Sequence, residues 1–151
     1  MSDDLSPAQH AAAIEESRQR LSDFVLRCTD TQWKSAPVDG DPRPVAVITD
    51  HVAHAYEYLA GWIGDLLAGG SPEVTSDLVD QLNAEHAQST GSITPAQVAA
   101  HLKTSGDALI NLIKNLEPGQ LTLGDGRIAR FAVIAARHAD SHTDEIEAAI
   151  G

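Results

Sequence analysis

The sequence predicts an all-α protein, an up-down-down-up four-helix bundle with a longer crossing between its second and third helices. Three observations predict it. Ala and Leu dominate many segments, and alternating β-branched runs are almost absent. Apolar residues recur at helical spacing in four long stretches. Two nearly identical helix starts, Ser6-Pro7-Ala8-Gln9 and Thr94-Pro95-Ala96-Gln97, each offer an N-cap hydroxyl, a proline at the first helical position and a glutamine to close a capping box. At 151 residues the chain has the size of one domain, 1–151, with enough length for a real core.

The first helix is expected over 6–28, with Ile14, Leu21, Phe24, Val25 and Cys28 inward. His10 falls in its first turn, where a histidine is usually solvated, and is left out of any site. Residues 30–44 read as a linker, because Pro37, Gly40, Pro42 and Pro44 break regular structure. Trp33 within it is expected to lid one end of the core or to wall a pocket there. The second helix, 44–68, stops at Gly69-Gly70 and carries Ile48, His51, Val52, Ala55, Leu59, Trp62, Ile63 and Leu66 inward. His54 and Tyr58 flank that stripe. A short helix within 73–87 should pack Val74, Leu78, Val79 and Leu82, with His86 at its solvated end. The third helix, 94–116, buries Val98, Leu102, Leu109, Leu112, Ile113 and Leu116, with His101 at the stripe's boundary. Gly124-Asp125-Gly126 turns into the fourth, 128–149, whose stripe is Ile128, Phe131, Ile134, Ala135, His138, His142, Ile146 and Ala149. The order of the two halves is loosely repeated, a faint echo of duplication.

The fourth helix holds the clearest chemistry. His138 and His142 stand four residues apart, so their imidazoles lie on one face about 6 Å apart along the axis and can aim at one divalent ion. The plain alternative is a pair of core-edge histidines bonded to carboxylates. His51 takes a place that an aliphatic residue would fill in an ordinary bundle. It can meet the pair only if the second and fourth helices run antiparallel, and that requires the long crossing to travel the length of the bundle. Three imidazoles and an open position would suit a catalytic metal, with zinc, nickel, iron and manganese all compatible.

Composition excludes other classes. A net charge of −12 with scattered basic residues repels phosphate backbones and anionic lipid, so neither nucleic acid nor membrane is an expected partner. No apolar run approaches the ~20 residues of a membrane span. The acidic start Met1-Ser2-Asp3-Asp4 lacks the features of a signal peptide, and the expected location is the cytoplasm. Cys28 is the single cysteine, so an intrachain disulfide is ruled out, and with only Arg27 beside it the thiol reads as a core residue. The segment His-Ala-Asp-Ser-His lacks the glutamate of His-Glu-x-x-His proteases, and Glu-x-x-His and phosphate-loop motifs are missing.

Val45-Ala-Val-Ile-Thr-Asp-His51-Val-Ala-His, Thr94-Pro-Ala-Gln-Val-Ala-Ala-His-Leu and His138-x-x-x-His142 together resemble the DinB-like metalloenzymes, over almost the whole chain. That resemblance implies a divalent metal held by one histidine of the second helix and two of the fourth, here His51, His138 and His142. His54, three residues from His51, leaves the helix-two ligand open, and helical phase favours His51. The resemblance also implies a homodimer, and relatives that are thiol-dependent transferases and isomerases. The expected activity is therefore a metal-dependent thiol-S-transferase that joins a low-molecular-weight thiol to a small electrophilic substrate. The alternative is a non-catalytic metal-binding bundle with a structural or partner-binding role.

Overall fold

The helix-start signals act as anticipated. In the computed structural model, which describes residues 5–90 and 92–150, Ser6 Oγ accepts from the Gln9 amide and the Gln9 side chain accepts from the Ser6 amide, opening α1 (Pro7–Arg27). Thr94 and Gln97 open α5 (Pro95–Lys114) in the same way. Between them lie α2 (Asp30–Lys34), α3 (Val45–Leu67) and α4 (Ser76–Ser89); a 3₁₀ turn (Pro118–Thr122) then leads to α6 (Leu123–Ile150). The described residues contain no strand. Residues 1–4, including the acidic start, lie outside the described residues.

Two of these elements correct the sequence reading. The linker expected over 30–44 begins with α2, because Thr29 and Gln32 form a capping box of their own before the prolines intervene. Val74 before α4 and Leu78, Val79 and Leu82 on it are only half-buried, and the residue of α4 that is buried is His86.

Side-chain contacts set the direction of each long helix. Arg20 reaches Asp144 and Arg27 reaches Glu147, so α1 and α6 lie side by side in the same sense. His51 at the start of α3 meets His142 on α6, while Leu66 near its end packs beside Gly124, so α3 and α6 are antiparallel. Ala8 and Ala11 of α1 line one cavity with Asn111 and Lys114 of α5, and Gln19 and Ser22 line another with Ala99 and Ala100, so α1 and α5 are also antiparallel. Early α5 meets early α3 through His101 and Asp50. The crossing carries the chain back along α3: Arg127 bonds the Pro72 carbonyl at one end, and Trp33 Nε1 donates to the Ile93 carbonyl at the other.

Packing then explains two misplacements on α6. An i+4 step advances the helix by about 40° past a full turn, so a stripe followed too strictly drifts off the core. Ile134 is 48 % exposed and Ala149 is exposed, whereas Ala139 and Thr143 are buried. His138 and His142 therefore flank the buried stripe, half-buried on the side facing α3. Before this helix becomes regular, Gly124, Asp125 and Gly126 all have positive φ (63°, 58° and 81°), which makes the anticipated turn. A Cβ at Gly124 would sit 2.8 Å from Leu66 Cδ2, so a side chain there would strain the left-handed backbone and push the end of Leu66 aside.

Candidate metal centre

Helix α6 stacks His138 and His142 one turn apart, with ring centroids 4.5 Å apart. From α3, His51 enters edge-on to both, at 4.7 and 5.4 Å. All three rings turn the same nitrogen inward. His51 Nε2 and His142 Nε2 each lie 3.0 Å from His138 Nε2. Among the described residues these three alone form a group able to hold a metal ion, their ligand atoms within 4.8 Å of one another.

Proton accounting shows that the three rings do not satisfy one another. His142 Nδ1 lies 2.8 Å from Glu145 Oε1, and donation from Nδ1–H to that carboxylate leaves a lone pair on Nε2. His142 Nε2 can then only accept. His138 Nε2–H would have to serve both neighbours at once, and if it carried a lone pair instead, one contact would place two lone pairs face to face. His51, 3 % exposed, has a second buried nitrogen, Nδ1, with no partner among the described residues. Burial, reinforced by the neighbouring histidines, pushes the His51 pKa down to about 2. Burial and His142 push His138 down to about 4. Both imidazoles are therefore neutral at pH 7, the form that ligates. Tetrahedral Zn–N bonds of 2.0–2.1 Å imply nitrogens about 3.3 Å apart. The 3.0 Å spacings need only a slight opening of the rings, so this donor set fits a divalent ion.

A second group of polar side chains adjoins the first. Asp50, one residue before His51, is 5 % exposed. His86 Nε2 donates to its Oδ2 at 2.7 Å, and His101 Nδ1 to its Oδ1 at 2.7 Å. The other nitrogen of His101 meets Glu57 Oε1 at 2.5 Å. Burial would raise the Asp50 pKa, but the bonds from His86 and His101 outweigh it and hold the carboxyl below its usual value. His101 is depressed by burial and raised more strongly by Asp50 and Glu57, with a net upward shift.

His86 is thus the largest correction to the sequence reading: it is 6 % exposed rather than solvated, because Asp50 supplies a buried partner across the interface of α4 and α3. His101 is a boundary residue, as expected, but a bonded one. His54 stacks on His86 with centroids 5.0 Å apart and stands outside the convergent triad. Tyr58 packs edge-on to His54 and against Trp62. Trp33 is buried at the end of the core, tied to Ile93, and makes no ring contact with the histidines. His10 is buried rather than solvated, as the groove described below explains. Cys28 is half-buried against the core, and burial raises its thiol pKa. The signal that could have revealed the second group was Asp50 itself, an acid inside the apolar run Val45–Val52.

No helix among the described residues is long and apolar enough to cross a membrane. Neither a curated protein nor a solved structure matches the chain. Residues 13–146, however, match the DinB superfamily, and that span includes all three convergent histidines. The chain belongs to the DinB superfamily.

Proposed function

We propose that the protein is a divalent-metal-dependent thiol-S-transferase, built as an up-down-down-up four-helix bundle, with His51, His138 and His142 as the metal ligands. The observation that carries this reading is the convergence of three Nε2 atoms that cannot satisfy one another, without a fourth ligand among the described residues. A bound divalent ion with an open position would lower the pKa of a small thiol and favour its attack on an electrophile. The chain's own residues have distinct roles. Glu145 holds His142 in the tautomer that leaves Nε2 free. Asp50 fixes His86, and through it the ring of His54, as a polar wall beside His51. Arg43, its charge met by both oxygens of Asp41, stands near the triad.

The cosubstrate is a low-molecular-weight thiol and the substrate a small electrophile; we place the protein in the cytoplasm as a homodimer, without a nucleic-acid or membrane partner. The test is a screen of small thiols against alkylating and epoxide electrophiles. It uses protein loaded in turn with zinc, nickel, iron or manganese. Metal-dependent thioether formation that disappears in His138→Ala supports the reading. Tight, stoichiometric metal binding with no turnover across the screen, together with a fourth protein ligand on the ion, would favour the non-catalytic bundle instead.

A further inference from the structure

A second cavity lies away from the histidine triad, and none of its lining residues belongs to the triad. It is a groove of about 870 Å³ between the first turn of α1, the 3₁₀ turn and the first half of α6. Leu121, Val133 and Ile134 give it an apolar wall, and Ile134 is left 48 % exposed there. His10 also lines it. This histidine is 2 % exposed, burial lowers its pKa, and its Nε2 has no partner among the described residues.

The edge of the groove carries Arg130 and Arg137, both exposed. Arg18, Arg20, Arg27 and Arg43 each pair with a carboxylate, whereas Arg130 and Arg137 form no ion pair among the described residues. Arg130 Nη1 is held by the Asp125 carbonyl at 2.8 Å, which fixes the guanidinium and leaves other N–H groups free. In a chain of net charge −12, two uncommitted arginines beside one apolar groove form a local exception.

We propose that this groove binds a small amphipathic carboxylate, its apolar body along Val133 and Ile134 and its carboxylate at Arg130 or Arg137, which stand two turns apart on α6. The volume lies within the usual range of small-molecule pockets, roughly 300–1,000 Å³. Arginine recognises a carboxylate with directed, charge-assisted bonds. A second copy of the chain fits less well, since a two-fold interface here would bring the arginines of both copies to one shared patch.

The probes are decanoate, held below its micelle concentration, and decanamide, which keeps the chain and removes the charge. Titration calorimetry on the full chain should give one decanoate per protein, with decanamide weaker by about tenfold. Arg130→Ala with Arg137→Ala should abolish that preference while leaving weak binding of both probes. Ile134→Asp, an exposed position where folding is not at risk, should remove binding of both. Three results would overturn the proposal: equal affinity for the two probes, decanoate binding unchanged in Ile134→Asp, or decanoate binding that appears only after residues 1–4 are deleted. A wild type that is dimeric and silent to decanoate, and that Ile134→Asp converts to a monomer, would assign the groove to a second copy and overturn it as well.

Discussion

Two histidine clusters share one turn of α3, and they solve the same burial problem in opposite ways. Asp50 opens one and His51 the other, adjacent in sequence and both nearly inaccessible. Around Asp50, histidines alternate with carboxylates, so each shared proton has an anion to face. Around His51, histidines meet histidines, and no carboxylate enters the group of ligand atoms. The pKa directions follow: His101 rises with its carboxylates, while His51 and His138 fall. A cluster that supplies its own counter-charge needs no cation, even though His86 Nδ1 has no partner among the described residues. One that supplies only lone pairs is complete only around a cation. The contrast teaches that the number of histidines matters less than what stands opposite each nitrogen.

The largest effect that could break this comparison is on metal binding. His138→Ala removes the atom lying 3.0 Å from both other ligands and should abolish stoichiometric zinc and nickel binding by calorimetry. Metal at a hundred times its dissociation constant stabilises a native site by about 2.7 kcal/mol, roughly 5–10 °C in a domain of this size, and the variant should lose that gain. Equal affinity in wild type and variant would mean that the triad is not the site.

Next comes the Asp50 cluster, which should behave as structure rather than as ligand. Asp50→Ala leaves His86 Nε2 with only the Thr90 hydroxyl and removes one of the two carboxylates facing His101, and should cost about 2–4 kcal/mol in urea unfolding of the metal-free protein. A loss below ~1 kcal/mol would show that solvent already serves these groups.

Acid should separate the clusters further. His51 and His138 have folded pKa values below their unfolded value of 6.5, so the unfolded chain binds more protons as pH falls below that point. The stability of the metal-free protein should therefore decline from about pH 6.5 towards pH 4. His101 acts in the opposite sense: its raised pKa contributes stability that is fully present below 6.5 and lost as pH rises through the folded value. His101→Gln should accordingly remove the stability gained as pH falls towards 6.5 and leave the decline below it unchanged, and a pH-independent melting temperature between 4 and 6.5 in that variant would contradict the neutral triad.

Two smaller effects sharpen the boundary of the site. Glu145→Gln keeps a hydrogen bond to His142 but loses the charge, and should weaken metal binding by about tenfold without changing stoichiometry. His54→Ala should change metal affinity by less than about threefold, because His54 stacks on His86 and stands outside the triad; a loss as large as that of His138→Ala would make it a ligand.

What the sequence determined alone was local. The capping boxes at Ser6 and Thr94, the stripes of α1, α3 and α5, the left-handed turn at 124–126 and the stacked pair His138 and His142 all depend on residues within a turn or two of one another. His51 was legible as a polar interruption of an apolar stripe, and the resemblance in histidine placement pointed to the superfamily that residues 13–146 match.

Tertiary structure decided everything that depends on a partner across the fold. His86 looks like an ordinary polar residue at a helix end, and only an acid 36 residues earlier makes its burial stable. His10 looks solvated in its first turn until α6 and the 3₁₀ turn close around it. Ile134 fits the core stripe in sequence, yet packing turns it into the groove beside α1. The physical reason is common to all three. Helical periodicity tells which face a residue shares with its neighbours along the helix, whereas the free energy of a buried polar group depends on the atom opposite it, supplied by another helix.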